Sequence, residues 1–326
     1  MKAIVYGPSG TVQLAEIERP VPADDEVLVR VRAASVNALD AHMLKSYPPL
    51  RSVMFALMGV KAKRPGADIA GEVEAVGRNV TRFAPGDAVF GGSGGGAFAE
   101  YACPRESRLV RKPASLDFAS AACINVAART ALQGLRDHAA IAAGDKVLIN
   151  GASGGVGTFA VQMAKWLGAE VTGVCSGRNL DLVRSIGADH VIDYAIEDFT
   201  QSSERYDSIF DLAGNKPLLT LRRILTPSGK WIGAGIVGRD PSMIRMIVGS
   251  LKAPALSLFT KQKFKSFITK SGGEDLDVIA DLVESGKIRS VIDRTFTLAE
   301  VPDAIGYVAT KRARGKVVIS VVDALI

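Results

Sequence analysis

The chain has 326 residues, enough for two hydrophobic cores rather than one. Hydrophobic residues make up 48% and charged residues 23%, without internal repeats or low-complexity tracts, which excludes a fibrous or disordered protein. A net charge of +6 permits anionic ligands, but basic and acidic residues are interspersed and no aromatic-basic module accompanies them, so no specific nucleic-acid partner is expected.

Cys103, Cys123 and Cys175 form no CxxC pair, which fits a reducing, cytoplasmic setting better than a disulfide framework. The N-terminus enters a Gly-Pro turn before a signal-peptide core could form. The most apolar late stretch, 243–259, is broken by Arg245, Lys252 and Pro254, so no transmembrane segment is expected.

In chain order, residues 1–120 read as short strands at 2–6, 27–33, 69–76, 88–90 and 97–103, divided by glycine and proline turns. Alanine-rich spacing over 118–138 predicts a bridging helix. Beyond Asp145 strands at 147–149, 171–174, 190–192, 208–212 and 231–232 alternate with helices at 158–167 and 180–186. Such alternation implies an α/β unit with a parallel sheet covered on both faces. Residues 243–269 mix apolar side chains with lysines and read as partly helical, a packing or subunit-contact segment in preference to a membrane-surface helix. A helix at 275–285, a strand at 290–297, a helix at 299–310 and a strand at 316–321 close the chain and are expected to rejoin the first domain.

The most informative stretch is 146–157, Lys-Val-Leu-Ile-Asn-Gly-Ala-Ser-Gly-Gly-Val-Gly, which reads as strand, glycine turn and helix. Gly154, Gly155 and Gly157, with Ala152, Ser153 and Val156 between and before them, allow a pyrophosphate to approach the backbone. At that helix N-terminus unpaired N–H groups and the helix dipole favour negative charge, the dipole by roughly 0.3–1 kcal/mol. The alternative is a purely structural turn. A second strand at 170–175, where a βαβ unit requires one, favours the dinucleotide.

Six motifs extend the pattern: Ser-Val-Asn-Ala-Leu-Asp at 35–40, Pro-Gly-Ala-Asp-Ile-Ala-Gly-Glu-Val at 65–73, Pro-Gly-Asp-Ala-Val-Phe at 85–90, the glycine turn at 150–157, Leu-Gly-Ala-Glu-Val at 167–171, and Gly-Ala-Asp-His-Val-Ile-Asp-Tyr at 187–194. With them the whole chain resembles the zinc-free medium-chain dehydrogenase/reductases of the NADPH-dependent quinone oxidoreductase type. The resemblance implies a GroES-like β-rich catalytic domain, here 1–120 and 265–326, interrupted by a Rossmann doubly wound nucleotide-binding domain at 121–264. It also implies a homodimer formed through the nucleotide domain's edge strand, near 230–235 or its successor.

Zinc-dependent relatives carry ligands where this chain has Asn37, Ala67 and Val126. A catalytic zinc needs three protein ligands, so none is expected here. Without that Lewis acid the substrate must delocalise its own charge, as quinones and α,β-unsaturated carbonyls do. At the end of the second nucleotide strand, where NAD-specific folds place a carboxylate, stands Ser176 followed by Arg178. Both can donate to a 2′-phosphate, and a charge-assisted bond of about 1.5–3 kcal/mol favours NADPH by ten- to a hundredfold or more. The resemblance adds Tyr194 beside that phosphate and Thr130 behind the nicotinamide, the latter alternatively a helix hydroxyl bonded to its own backbone. Leu212, Ala213 and Gly235 follow later strands and are expected to line the cofactor.

At the reacting end, Asn37 and Asp40 match the family's Asn-x-x-Asp pattern beside nicotinamide and substrate, although Asn37 is equally suited to capping the next helix. His42 and Tyr47 are candidate proton donors, as is a water molecule. The expected activity is zinc-independent, NADPH-dependent reduction of quinones or other conjugated carbonyls by hydride or electron transfer. The alternatives are an alkenal or enone double-bond reductase and a non-catalytic NADPH-binding redox sensor.

Overall fold

The computed structural model describes residues 1–7, 11–45, 64–234, 257 and 260–321. Tyr47, Gly235 and most of the expected subunit-contact segment lie outside these residues. Contacts divide the chain into two compact units, Met1–Ala127 with Ser271–Ile326, and Ala128–Lys270.

The first unit is built on β1 (Lys2–Tyr6), β2 (Val12–Glu16), β3 (Val27–Val36), α1 (Ala38–Lys45), β4 (Asp68–Val76), β5 (Ala88–Gly92), β6 (Tyr101–Ala102) and β7 (Leu109–Arg111). Helix α2 (Phe118–Ala122) and the start of α3 (Asn125–Leu132) follow. Seven strands form its main sheet, in the order β14-β15-β3-β4-β5-β7 with β6 on β3, where β14 is Ile292–Thr297 and β15 is Lys316–Ser320. Strand β3 is buried along nearly its whole length because its valines and alanines face a core with Ile4, Ile69, Phe98, Leu109 and Ile319. The C-terminal strand β15 runs antiparallel to β3, which puts Lys316 at the same end of the sheet as Asn37.

The second unit holds β8 (Lys146–Asn150), α4 (Gly155–Trp166), β9 (Glu170–Cys175), α5 (Leu180–Ser185), β10 (His190–Asp193), β11 (Tyr206–Asp211), α6 (Leu218–Leu221), β12 (Leu225–Ala234) and β13 (Lys263–Phe267). Its six strands are all parallel, in the order β10-β9-β8-β11-β12-β13. The order reverses between β8 and β11, the switch point at which such sheets bind ligands.

Three local expectations are revised. The bridging helix is broken at Cys123 and Ile124, and its last turns over Gln133–Ala139 are π-helical. The lysine-rich residues 263–267 form a strand rather than a helix, paired in parallel with Lys230–Ala234: Lys263 and Lys265 are exposed on one face, Phe264 is buried on the other, and Phe267, on the face of the lysines, is buried at the strand end. Among the described residues that strand, the successor of 230–235, is one edge of the parallel sheet, and β10 is the other. The strand expected at 97–103 is reduced to Tyr101–Ala102.

Candidate active site

In the first unit, three neighbouring strand ends bring together residues far apart in sequence. Asn37 follows β3, Asp68 opens β4 and Lys316 opens β15. Gly315 delivers the lysine at φ +92, with the Val291 carbonyl where a side chain would stand, so only glycine closes this turn.

Asp68 is fully buried. Its Oδ2 accepts hydrogen bonds from Ser35 Oγ at 2.9 Å, Asn37 Nδ2 at 2.9 Å and Lys316 Nζ at 3.4 Å. Its Oδ1 accepts from Asn125 Nδ2 at 2.8 Å and from the Val126 N–H at 3.0 Å, which fixes the start of α3 and explains the break in the bridging helix. Lys316 Nζ also donates to Asn37 Oδ1 at 2.7 Å and to Val36 O at 3.4 Å. Three acceptors thus surround a buried ammonium, and hydrogen bonds meet both carboxylate oxygens, as a buried pair requires.

Asp40 Oδ2 accepts the Asn37 N–H at 2.8 Å, so Asp40 closes the start of α1 while the Asn37 side chain is committed to Asp68 and Lys316. Burial pushes the Asp40 carboxyl up to about 7. The Asp68 carboxylate adds to this, while the Asn37 and Gly66 N–H groups and Lys316 oppose it. The folded chain therefore holds a proton that the unfolded chain releases near the ordinary 3.8. Stability from this group is greatest below pH 3.8 and falls as pH rises to about 7. The loss is on the order of 4 kcal/mol, at about 1.4 kcal/mol for each pH step of one. Asp40→Asn is expected to flatten this decline in denaturant unfolding between pH 4 and 8; a profile parallel to the parent's would refute it.

His42, on the same helix, turns Nδ1 to Ala38 O at 2.6 Å. Cys123 is buried, with burial pushing its thiol up to about 12, so it is an inert small side chain.

In the second unit, Gly154 stands at the N-cap of α4 and offers no side chain to cap it. The N–H groups of Gly155, Val156 and Gly157 therefore have no partner within the helix. Asn179, which sequence reading missed, donates through Nδ2 to Ser153 Oγ at 2.9 Å and to Ser176 Oγ at 3.1 Å. Because both serines accept from it, each keeps its own O–H to donate. Asn179 Oδ1 is buried and finds no partner among the described residues. Arg178 is exposed beside Ser176, and Tyr194, 54% exposed, donates its N–H to Cys175 O at 3.1 Å. These residues therefore gather at the carboxyl ends of β9 and β10. The Asp193 carboxylate lies against Gly177 in the same corner.

At the switch point, Asn150 Nδ2 and the Gly214 N–H donate to Asp211 Oδ1, both at 2.9 Å, and the Leu212 N–H donates to Asn150 O at 3.0 Å. Asp211, whose carboxyl burial pushes up, thus holds the loop carrying Leu212 and Ala213. Thr130 is bonded to Thr269 Oγ1 at 2.7 Å.

An alcohol dehydrogenase GroES-like domain model matches residues 23–114, and a zinc-binding dehydrogenase model matches residues 186–319. A chloroplastic quinone-oxidoreductase of Triphysaria versicolor is 32% identical over 340 aligned positions, covering 98% of both chains. The chain belongs to the medium-chain dehydrogenase/reductase superfamily. The quinone oxidoreductase of Coxiella burnetii superposes with a TM-score of 0.85 at 28% identity, covering 99% of both chains. A chloroplastic NADPH-dependent alkenal/one oxidoreductase of Arabidopsis thaliana is 31% identical, covering 98% of this chain and 79% of its own. The first unit is accordingly GroES-like, the second is Rossmann-like, and the protein is an NAD(P)H oxidoreductase of the superfamily acting on a small molecule. Among the described residues no helix is long and apolar enough to cross a membrane.

Two groups are implied by this membership. Zinc does not fit: the ligand positions hold Asn37, Ala67 and Val126, and an ammonium is bound to Asn37 and Asp68 where a dication would need their oxygens. A nicotinamide dinucleotide fits: an uncapped helix start and the Ser153 hydroxyl on the β8–α4 turn face Ser176 and the buried Asn179 oxygen on the neighbouring β9–α5 turn, the two turns being joined by the Asn179–Ser153 hydrogen bond.

Proposed function

We propose that the protein is a zinc-independent, NADPH-dependent reductase of quinones or other conjugated carbonyl compounds. The observation that carries this reading is the buried ammonium at the metal position. A site without a Lewis acid suits substrates that spread the developing charge themselves. The names of the quinone oxidoreductase relatives point the same way.

NADPH, when bound, supplies the hydride. In this reading the N–H groups of Gly155 and Val156 and the Ser153 hydroxyl hold the pyrophosphate, with Ala152, Gly154 and Gly157 shaping the turn. Ser176, Arg178 and Tyr194 take the 2′-phosphate, and Thr130, Leu212, Ala213 and Gly235 line the cofactor. Asn37 and Asp40 meet the substrate, with His42 or Tyr47 as proton donor. Residues 1–120 and 265–326 serve as catalytic domain and 121–264 as nucleotide domain. A homodimer through the edge strand β13 and a cytoplasmic setting complete the proposal.

The deciding experiment follows NADPH consumption against quinones, enones and alkenals, with NADH in parallel. Quinone turnover with NADPH preferred is the expected result; tight NADPH binding without turnover would favour a redox sensor and overturn the reading. The alkenal/one relative supports a second reading, saturation of a carbon–carbon double bond. Product analysis separates the two, a hydroquinone or semiquinone against a saturated carbonyl. The cofactor assignment has its own test. Ser176→Asp combined with Arg178→Ala is expected to lower the NADPH-to-NADH ratio of kcat/KM by about ten- to a hundredfold, the equivalent of one lost charge-assisted bond. An unchanged ratio would remove these residues from the 2′-phosphate site.

A further inference from the structure

We propose that Lys316 is a positioning residue that locks the Asn37 amide in the one orientation able to donate to the substrate oxygen. The inference rests on the reductase reading above. The oxygen and nitrogen ends of an amide have nearly the same shape, so only its partners decide which way it points. Here Lys316 Nζ meets Oδ1 at 2.7 Å and Asp68 Oδ2 meets Nδ2 at 2.9 Å. Turning the amide over would set its NH2 against the ammonium and its oxygen against the carboxylate. Both contacts would become repulsive in a place where water cannot screen them, since the two charged side chains are 2% and 0% exposed.

Nδ2 carries two hydrogens, and Asp68 takes one. The other is left to donate to the substrate oxygen on which charge gathers as the hydride arrives. The ammonium and the carboxylate cancel one another, so the cluster offers an oriented donor without net charge. Electrostatic preorganisation of this kind acts most strongly on the transition state.

The competing role is charge balance alone, in which Lys316 merely neutralises Asp68. Lys316→Met combined with Asp68→Asn removes both charges and separates the two roles. Positioning predicts a fall of about a hundredfold in kcat on the fastest quinone, the order expected for a lost transition-state donor. The Kd for NADPH, read by fluorescence, should be unchanged. Asn37→Ala should fall alike, and the triple variant should be no slower than Asn37→Ala, because both changes remove the same donor. A double variant with parental kcat, or a triple variant whose losses multiply, overturns the inference. Should the double variant not fold, NMR of the parent gives an independent answer. Adding the same quinone with NADP+, a pair that cannot react, should shift one of the two Asn37 side-chain amide protons. No shift at saturation overturns the inference. A parent that reduces nothing in the panel sinks the reductase reading itself, whereas a parent and a double variant that turn over equally sink only the role of Lys316.

Discussion

Gly157→Val is expected to abolish NADPH binding. Gly157 is the third residue of α4, and a side chain there would meet the Gly151 carbonyl oxygen, with the Ala152 carbonyl carbon and oxygen at 2.8 Å. All three are backbone atoms, so no flexible neighbour can move aside and the turn itself must open. Overpacking of this kind costs about 1–3 kcal/mol of stability. The loss in affinity should be larger, because opening the turn scatters the N–H groups of Gly155 and Val156 and the Ser153 hydroxyl together. Fluorescence titration is expected to show NADPH affinity reduced more than about a hundredfold, or roughly 2.7 kcal/mol. Gly272→Ala, at a position with open space around it, is the control and should leave affinity and unfolding midpoint as they are. Parental affinity in Gly157→Val would show that the phosphates bind elsewhere.

The glycine turn was legible in the sequence because everything that defines it is local. An apolar strand, three glycines and a helix lie within one short stretch, and the alternation that follows fixes a parallel sheet. Asn179 was not legible. It follows a strand as many polar loop residues do, and only the folded loop brings it to Ser153, 26 positions earlier.

Long-range convergence explains the larger omission. Lys316 reads in sequence as the first residue of a closing strand, and its partner Asn37 is 279 positions away. Periodicity reveals which residues face inward, but not which strand ends meet. A lysine opening an otherwise apolar strand is the one signal that was present, since a lysine is almost never fully buried without a partner. The strand at Lys263–Phe267 shows the same limit. Lys-Phe-Lys begins an alternation that Ser266 and Phe267 break, so five residues carry no clean period, and the strand is defined by its pairing with Lys230–Ala234 rather than by its own pattern.

Asp68→Ala should produce the largest loss of stability. The substitution leaves the Lys316 ammonium buried with only Asn37 Oδ1 and Val36 O as acceptors. It also deprives Ser35 Oγ, Asn37 Nδ2, Asn125 Nδ2 and the Val126 N–H of their shared acceptor. Removing one partner of a buried ion pair costs about 3–5 kcal/mol, because the uncompensated charge stays behind. For a protein of this size that corresponds to a fall in Tm of about 4–7 °C, measured by thermal unfolding of the apo protein. Lys316→Met added to Asp68→Ala should recover part of the loss by removing the stranded charge, even though it deletes another side chain from the cluster. Such recovery separates electrostatics from packing, since lost packing alone would make the double variant worse than either single one. An Asp68→Ala protein melting within about 2 °C of the parent, a difference of roughly 1 kcal/mol or less, would mean that the three strand ends are held by their sheet hydrogen bonds alone. Asn37 would then owe its place to the backbone rather than to the charges around it.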